Sequence, residues 1–196
     1  MKTYNKAWEY IKSGLYLILC FLISIPIVTF CGYLYRTVGV IMAVLIGFCS
    51  VGATVCIYAD SAIKLGKKYR NIDERSKNNL ANRNFGVNFG IVPTAISYSE
   101  VILVFLSKFS IVNYDFYPLY KTLNMYFLPW TYIFSPNSYV MEGERLLQIP
   151  VPATELSAAA LVFISVLPLI FIATTAIAYK IGYNNIDLKE KILYGK

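Results

Sequence analysis

Four stretches of this chain are apolar for longer than a water-soluble core needs, and they carry almost no charge. Leu156 to Tyr179 is uncharged throughout, as are Ser13 to Tyr35 and Thr37 to Ala59, while Phe85 to Ser107 is interrupted by one acid, Glu100. About 20 residues at a rise of about 1.5 Å each cover the hydrocarbon layer of a bilayer. In that layer a backbone N–H or C=O finds no water, so the segment must pair its own polar groups as a helix. The runs therefore predict transmembrane helices at 13–35, 37–59, 85–107 and 156–179. The fold class that follows is an all-α integral membrane protein, a single domain over 1–196 with its four spans arranged as two hairpins. Charged residues make up 15% of the chain, against about 25% in soluble domains.

Basic residues orient the spans. The hydrophilic segment 60–84 holds Lys64, Lys67, Lys68, Arg70, Arg75, Lys77 and Arg83 against Asp60, Asp73 and Glu74, and the tail 180–196 holds Lys180, Lys189, Lys191 and Lys196. Loops rich in Lys and Arg stay on the cytoplasmic side. The expectation is a basic cytoplasmic loop, a basic cytoplasmic tail, and both termini inside a cell (plasma) membrane. The same lysines and arginines are candidates for contact with anionic lipid headgroups, each worth about 1 kcal/mol near the surface. That use of the +7 net charge leaves no reason to invoke nucleic acid. The acids of the loop read as solvated partners of its cations. Residues 1–12 place Tyr4, Trp8 and Ile11 on one helical face among lysines, the pattern of an interfacial helix. Arg36, alone between two equal uncharged runs, marks a tight outer turn.

Residues 108–155 form an aromatic-rich outer segment, with Tyr126, Phe127, Trp130 and Tyr132 at its centre. Thr122 to Met141 is uncharged, so a fifth span is one reading of it. Pro129 and Pro136 would each remove a backbone donor that lipid cannot replace, and a fifth span would put the lysine-rich tail outside. An extracytoplasmic segment lying in, or re-entering from, the outer interface fits better, because Tyr and Trp favour that depth. Trp130, Tyr126, Tyr132 and Phe127 are then candidates for contact with a partner.

The chain also echoes itself. Lys64-Leu-Gly66 followed by Tyr69-Arg-Asn71-Ile72-Asp73 parallels Lys180-Ile-Gly182 followed by Tyr183-Asn-Asn185-Ile186-Asp187. Each copy follows an even-numbered span, as expected for two hairpins related by an axis along the membrane normal. Similar helix exits, with Gly as a stop and cations at the C-terminal dipole, offer the simpler explanation.

Chemistry-bearing residues are few. There is no histidine, and no two of the four cysteines are spaced as C-x-x-C, which predicts neither a metal site nor a redox dithiol nor a cofactor. Cys20, Cys31, Cys49 and Cys56 read as small apolar side chains. Pro26 and Pro168 are expected to kink their spans, with Ser24 and Ser165 near the freed carbonyls. Glu100 is the sharpest candidate, since an ionisable group inside a span is costly and faces the bundle interior or a wet cavity. Ser97 and Ser107 share its helical stripe with Pro93. The first functional expectation is a non-enzymatic membrane subunit that contacts partner proteins or lipid, whereas a homo-oligomer would favour the second. The second is a small-solute or ion transporter or channel subunit using Glu100, and a lipid-modifying enzyme is a third. The bias toward Lys, Asn, Ile and Tyr has the look of a bacterial AT-rich coding sequence.

Overall fold

A computed structural model describes residues 6–38, 40–76, 84–134, 138–142, 145–149 and 151–185, and side chains within these except at 30–40, 42–43, 76 and 132–150. Three long helices come first: α1 (Lys6–Val38), α2 (Val40–Ser76) and α3 (Phe85–Lys108). Two short helices follow, α4 (Tyr117–Leu123) and α5 (Leu128–Phe134), then a hairpin of β1 (Ser138–Glu142) and β2 (Arg145–Ile149), and finally α6 (Ala158–Val166) and α7 (Leu169–Tyr183). The strands are antiparallel, with Ser138 opposite Ile149. Among the described residues, four helical stretches are long and apolar enough to cross a membrane: Lys6–Thr29, Val44–Arg75, Phe85–Lys108 and Ala158–Tyr183.

Several boundaries differ from the sequence reading. From Lys6 on, the N-terminal segment is continuous with the first long apolar helix. Arg36 lies within α1 rather than in the turn. α2 runs on to Ser76, through what read as a loop from residue 60. Its extension carries two ion pairs at helical spacing, Lys64–Asp60 and Arg70–Glu74, each 2.6 Å. Pairs of that kind add a few tenths of a kcal/mol to an exposed helix. Thr122 to Met141 does not form one helix. The helical path is lost at Asn124 (φ −98°, ψ 42°), and α5 then starts with Pro129 in its first turn, where the missing N–H costs nothing.

The three prolines inside spans behave differently. Pro26 sits in an unbroken α1, and Ser24 Oγ donates to the Cys20 carbonyl (2.7 Å) rather than to the Leu22 carbonyl the proline frees. Pro168 separates α6 from α7. There Tyr98 Oη donates to the Ser165 carbonyl at 2.9 Å, while Ser165 Oγ turns back to Leu161. Pro93 leaves α3 continuous. The carbonyl it deprives of a donor, that of Phe89, accepts from Ser13 Oγ of α1 at 2.6 Å.

The chain divides into two compact units, one of Met1–Tyr16, Val55–Thr94 and Leu169–Lys196, the other of Leu17–Thr54 and Ala95–Pro168. In the first unit α1 is antiparallel to α2, since Tyr58 Oη donates to Ser13 O (2.9 Å) while Lys68 reaches back to Glu9 (3.5 Å). α3 is parallel to α1, with Tyr10 on Phe85 and Gly14 beside Val92. α7 is parallel to α2: Tyr58 packs on Phe171, Gly66 on α7 around Gly182, and Asp73 accepts from Tyr183 Oη at 2.8 Å. The starts of α1 and α3 and the ends of α2 and α7 therefore gather at one end of this unit.

Glycines set how near these helices come. A Cβ on Gly86 would lie 2.8 Å from the Thr175 carbonyl and 2.7 Å from Tyr179 Cγ, and one on Gly90 would lie 2.8 Å from Ile172 Cα. Gly86 and Gly90 form a G-x-x-x-G step, the pattern that lets apolar helices touch backbone to backbone. The contact between α2 and α7 is reciprocal: a Cβ on Gly66 would strike the Tyr179 carbonyl, and one on Gly182 the Ile63 carbonyl. Ile63 and Tyr179 hold the same place in the two halves of the sequence echo, one residue before Lys64 and Lys180. Within lipid, apolar surface would gain nothing by moving to a helix interface, so such close packing and interhelical hydrogen bonds would supply the association energy there.

In the second unit Val101, Val104, Tyr117, Tyr120, Leu156, Ala160 and Ile164 form a buried cluster. Its polar ties fix the connection after α3. Lys108 Nζ donates to the carbonyls of Thr154 (2.6 Å) and Leu156 (2.8 Å), and Asp115 accepts from Tyr117 N (3.0 Å) and Ala153 N (3.3 Å).

Candidate functional site around Glu100

Glu100 lies on α3 in the second unit, half-buried. Its partner is Asn124, the residue at which α4 ends, whose Nδ2 donates to Glu100 Oε2. The same amide group also lies 3.2 Å from the Tyr120 carbonyl. Asn124 Oδ1 accepts from Tyr126 Oη at 2.8 Å. Tyr126 Oη and Ser97 Oγ share a further hydrogen bond of 3.3 Å. The single phenolic hydrogen of Tyr126 is already given to Asn124, so Ser97 donates in that pair. The result is a directed chain from Ser97 through Tyr126 and Asn124 to the carboxylate. Ser97, Asn124 and Tyr126 are all almost completely buried. Ser50 of α2 fastens the backbone of the same turn by donating to the Tyr126 carbonyl at 2.9 Å.

Tyr120 completes the surroundings. Its ring is buried, and its hydroxyl, enclosed as well, meets no hydrogen-bond partner among the described residues. Burial pushes the Tyr120 phenol far above its ordinary value, and the nearby Tyr126, Tyr117 and Glu100 push it the same way. Tyr126 is raised too, first by burial, with its hydrogen bond to Ser97 opposing. Both phenols therefore stay neutral, and Tyr126 acts as a donor to Asn124. One turn away, Lys121 is buried with its ammonium 4.5 Å from the Tyr117 ring centre. Desolvation pulls its pKa down, and Asp115 partly restores it.

Of the sequence candidates, Glu100 and Ser97 come together in this network, and Tyr126 joins them. Ser107 does not. It donates to the Tyr114 carbonyl (2.9 Å) and accepts from Phe116 N (3.0 Å), anchoring the connection that follows α3. Tyr126 and Phe127 are wholly buried in the second unit, so they pack inward rather than offer a surface to a partner. Trp130 is half-buried over Gly47, where a Cβ would lie 2.8 Å from its Nε1, with Phe48 edge-on at 4.8 Å. The Tyr132 side chain lies outside the described residues, as do Lys77 and Arg83.

Of the remaining basic candidates, Lys64 pairs with Asp60, Arg70 with Glu74 and Lys68 with Glu9, while Lys67 and Arg75 are exposed on α2. Asp60 and Glu74 are exposed, as a solvated partner should be, but Asp73 is buried against Tyr183. Cys20 is buried as read, whereas Cys49 and Cys56 are exposed. Asn124, Tyr120 and Glu9 were not singled out from the sequence. Asn124 carries a weak local signal, a helix-terminating residue inside an aromatic run. Glu9, buried beside Lys12 (3.4 Å) and Lys68, was hidden among lysines.

Among the described residues, no group of three or more His, Cys, Asp or Glu is placed to hold a metal. Comparison with known proteins finds no matching family model, no similar curated protein and no similar solved structure.

Proposed function

We propose that this chain is a non-enzymatic subunit of a cell (plasma) membrane assembly, with both termini cytoplasmic and residues 108–155 at the outer interface. The observation that carries the reading is the outward face of the four long stretches. Ile18, Leu22, Phe48, Ile102, Val162 and Ile177, drawn from all four, are each more than half exposed. Left in water, each such side chain would forgo roughly 1.5–3 kcal/mol of burial; lipid removes that cost. The gathering of both outer helix ends of the first unit supports termini on one side, and the cations of α2 supply the inward bias. Lipid headgroups at the basic end and a protein partner in the membrane are the ligands of this reading. A tagged chain resists alkaline carbonate extraction and, in mild detergent, co-purifies with a different polypeptide at fixed ratio. Release by carbonate without detergent would overturn membrane insertion, and isolation only as a lone monomer would overturn the subunit role.

A second reading, a small-solute or ion transporter subunit using Glu100, draws on the hydrogen-bonded chain from Ser97 to the carboxylate. A stable homo-oligomer in the same purification would select it.

A further inference from the structure

Resting on the subunit reading above, we propose that the second half of α3 is a docking face for a transmembrane helix of a different polypeptide, one that carries a lysine or arginine level with Glu100.

Glu100 is held in place but not neutralised. It stands about two turns, roughly 12 Å, before the end of α3 at Lys108, too deep for a short side chain to reach the headgroups. Among the described residues it enters no ion pair. Lys108, the cation on the same helix, donates to the carbonyls of Thr154 and Leu156 instead. Asn124 Nδ2 fixes Oε2, and Asn124 is fixed in turn by Tyr126 and, through it, Ser97. No described residue donates to the other oxygen, Oε1. Ionisable groups within a span pair with one another or face a wet cavity.

The helix is open on the side that ends at Glu100. At about 100° per residue, Ala95, Ser99 and Ile96 follow one another around α3 from Ile102 to Glu100. Ala95, Ile96, Ser99 and Ile102 are exposed and Glu100 is half-buried, whereas Ser97, Val101 and Val104 on the far side are buried. Ala95 and Ser99 form a small-x-x-x-small step that lets a second helix come near the backbone. Ser99 Oγ turns back to the Ile96 carbonyl at 2.6 Å and leaves the step flat.

Charge complementarity identifies the occupant. The runs 13–35, 37–59, 85–107 and 156–179 hold no lysine or arginine, so a second copy has no cation to present from its spans. Lipid tails have none either. A mid-span lysine or arginine on another polypeptide is itself costly in lipid, and pairing with Glu100 lowers the cost of both charges.

The test uses the full chain in lipid nanodiscs and synthetic leucine–alanine helices of about 20 residues, with binding read by Förster transfer. One helix carries a lysine near its centre and the other a leucine there. The wild type binds the lysine helix about tenfold or more tightly than the leucine helix, the discrimination that a hydrogen-bonded charge supplies. Glu100→Gln, whose amide oxygen still accepts from Asn124, removes the preference. Ser99→Leu, at an exposed position, weakens binding of the lysine helix by filling the step. Equal binding of the two helices by the wild type, or a preference that Glu100→Gln retains, would overturn the proposal. Self-association of the chain that Glu100→Gln abolishes would give the face to a second copy and overturn it too. Should Glu100→Gln fail to fold, Ser99→Leu decides, and unchanged binding of the lysine helix counts against the face. Co-purification tests the subunit reading separately: a chain isolated only as a monomer that still selects the lysine helix would sink that reading and leave the face standing.

Discussion

Gly182→Ala tests the packing of α2 against α7 at its closest point. The added methyl would strike the Ile63 carbonyl and lie 2.8 Å from the Ile63 carbonyl carbon and 2.9 Å from its Cα. All three are backbone atoms of a helix, so no side chain can swing aside. Carbon atoms pack at about 3.5–4.0 Å, which means the helices must part by more than half an ångström. Overpacking of this kind costs about 1–3 kcal/mol, and a rigid backbone neighbour places it near the upper end. Against this, replacing Gly by Ala inside a helix gains about 1 kcal/mol, leaving a net loss of about 2 kcal/mol. For a chain of this size that lowers the thermal midpoint by roughly 4–8 °C. Gly52→Ala is the matched control, since a Cβ there meets nothing within 4 Å. It has only the propensity gain and should raise the midpoint by about 2–4 °C. Both are read by circular dichroism during thermal unfolding in one detergent. Equal midpoints for the two variants, or a stabilised Gly182→Ala, would refute the close contact.

Three further outcomes follow. Ser13→Ala removes the donor that Pro93 makes necessary at the Phe89 carbonyl, at a loss of about 1 kcal/mol; Pro93→Ala returns the local N–H, so the double variant recovers most of it in a double-mutant cycle. Lys121 is held below its ordinary 10.5 by burial, so the unfolded chain binds its proton more tightly. Stability should rise with pH from the folded-state pKa up to the unfolded one, and Lys121→Met should lose that rise in pH-dependent melting curves. In detergent, an alkylating probe should modify Cys49 and Cys56 well before Cys20, as read by mass spectrometry of the peptides.

The spans were legible because lipid imposes a length and a composition at once. Phe85–Lys108 agrees with its apolar run almost to the residue. The extension of α2 past the apolar run is not legible in hydropathy, which registers polarity and not helix; its local signal is the i,i+4 spacing of Asp60–Lys64 and Arg70–Glu74. The hairpin of β1 and β2 was missed for a related reason, lying in a segment judged by its aromatics rather than by alternation. Tyr126 and Phe127 show the limit of composition: the same side chains suit an interface and a core, and only the fold decides. The Gly86/Gly90 step was present in the sequence as a recognisable spacing. Its partners, Thr175 and Tyr179, lie too far along the chain for local reasoning to supply. Glu100 was found by its cost in lipid, whereas Asn124, an ordinary residue in a polar-poor turn, gave no comparable signal.

The proposed arrangement has four spans with both ends of the chain on one face of the membrane. The direct test places single cysteines at Lys2 and Lys196 in a cysteine-free background and labels sealed vesicles of known orientation with an impermeant maleimide. Both positions should react in inside-out vesicles and resist in right-side-out ones. Reaction of the two from opposite faces would contradict the four-span arrangement.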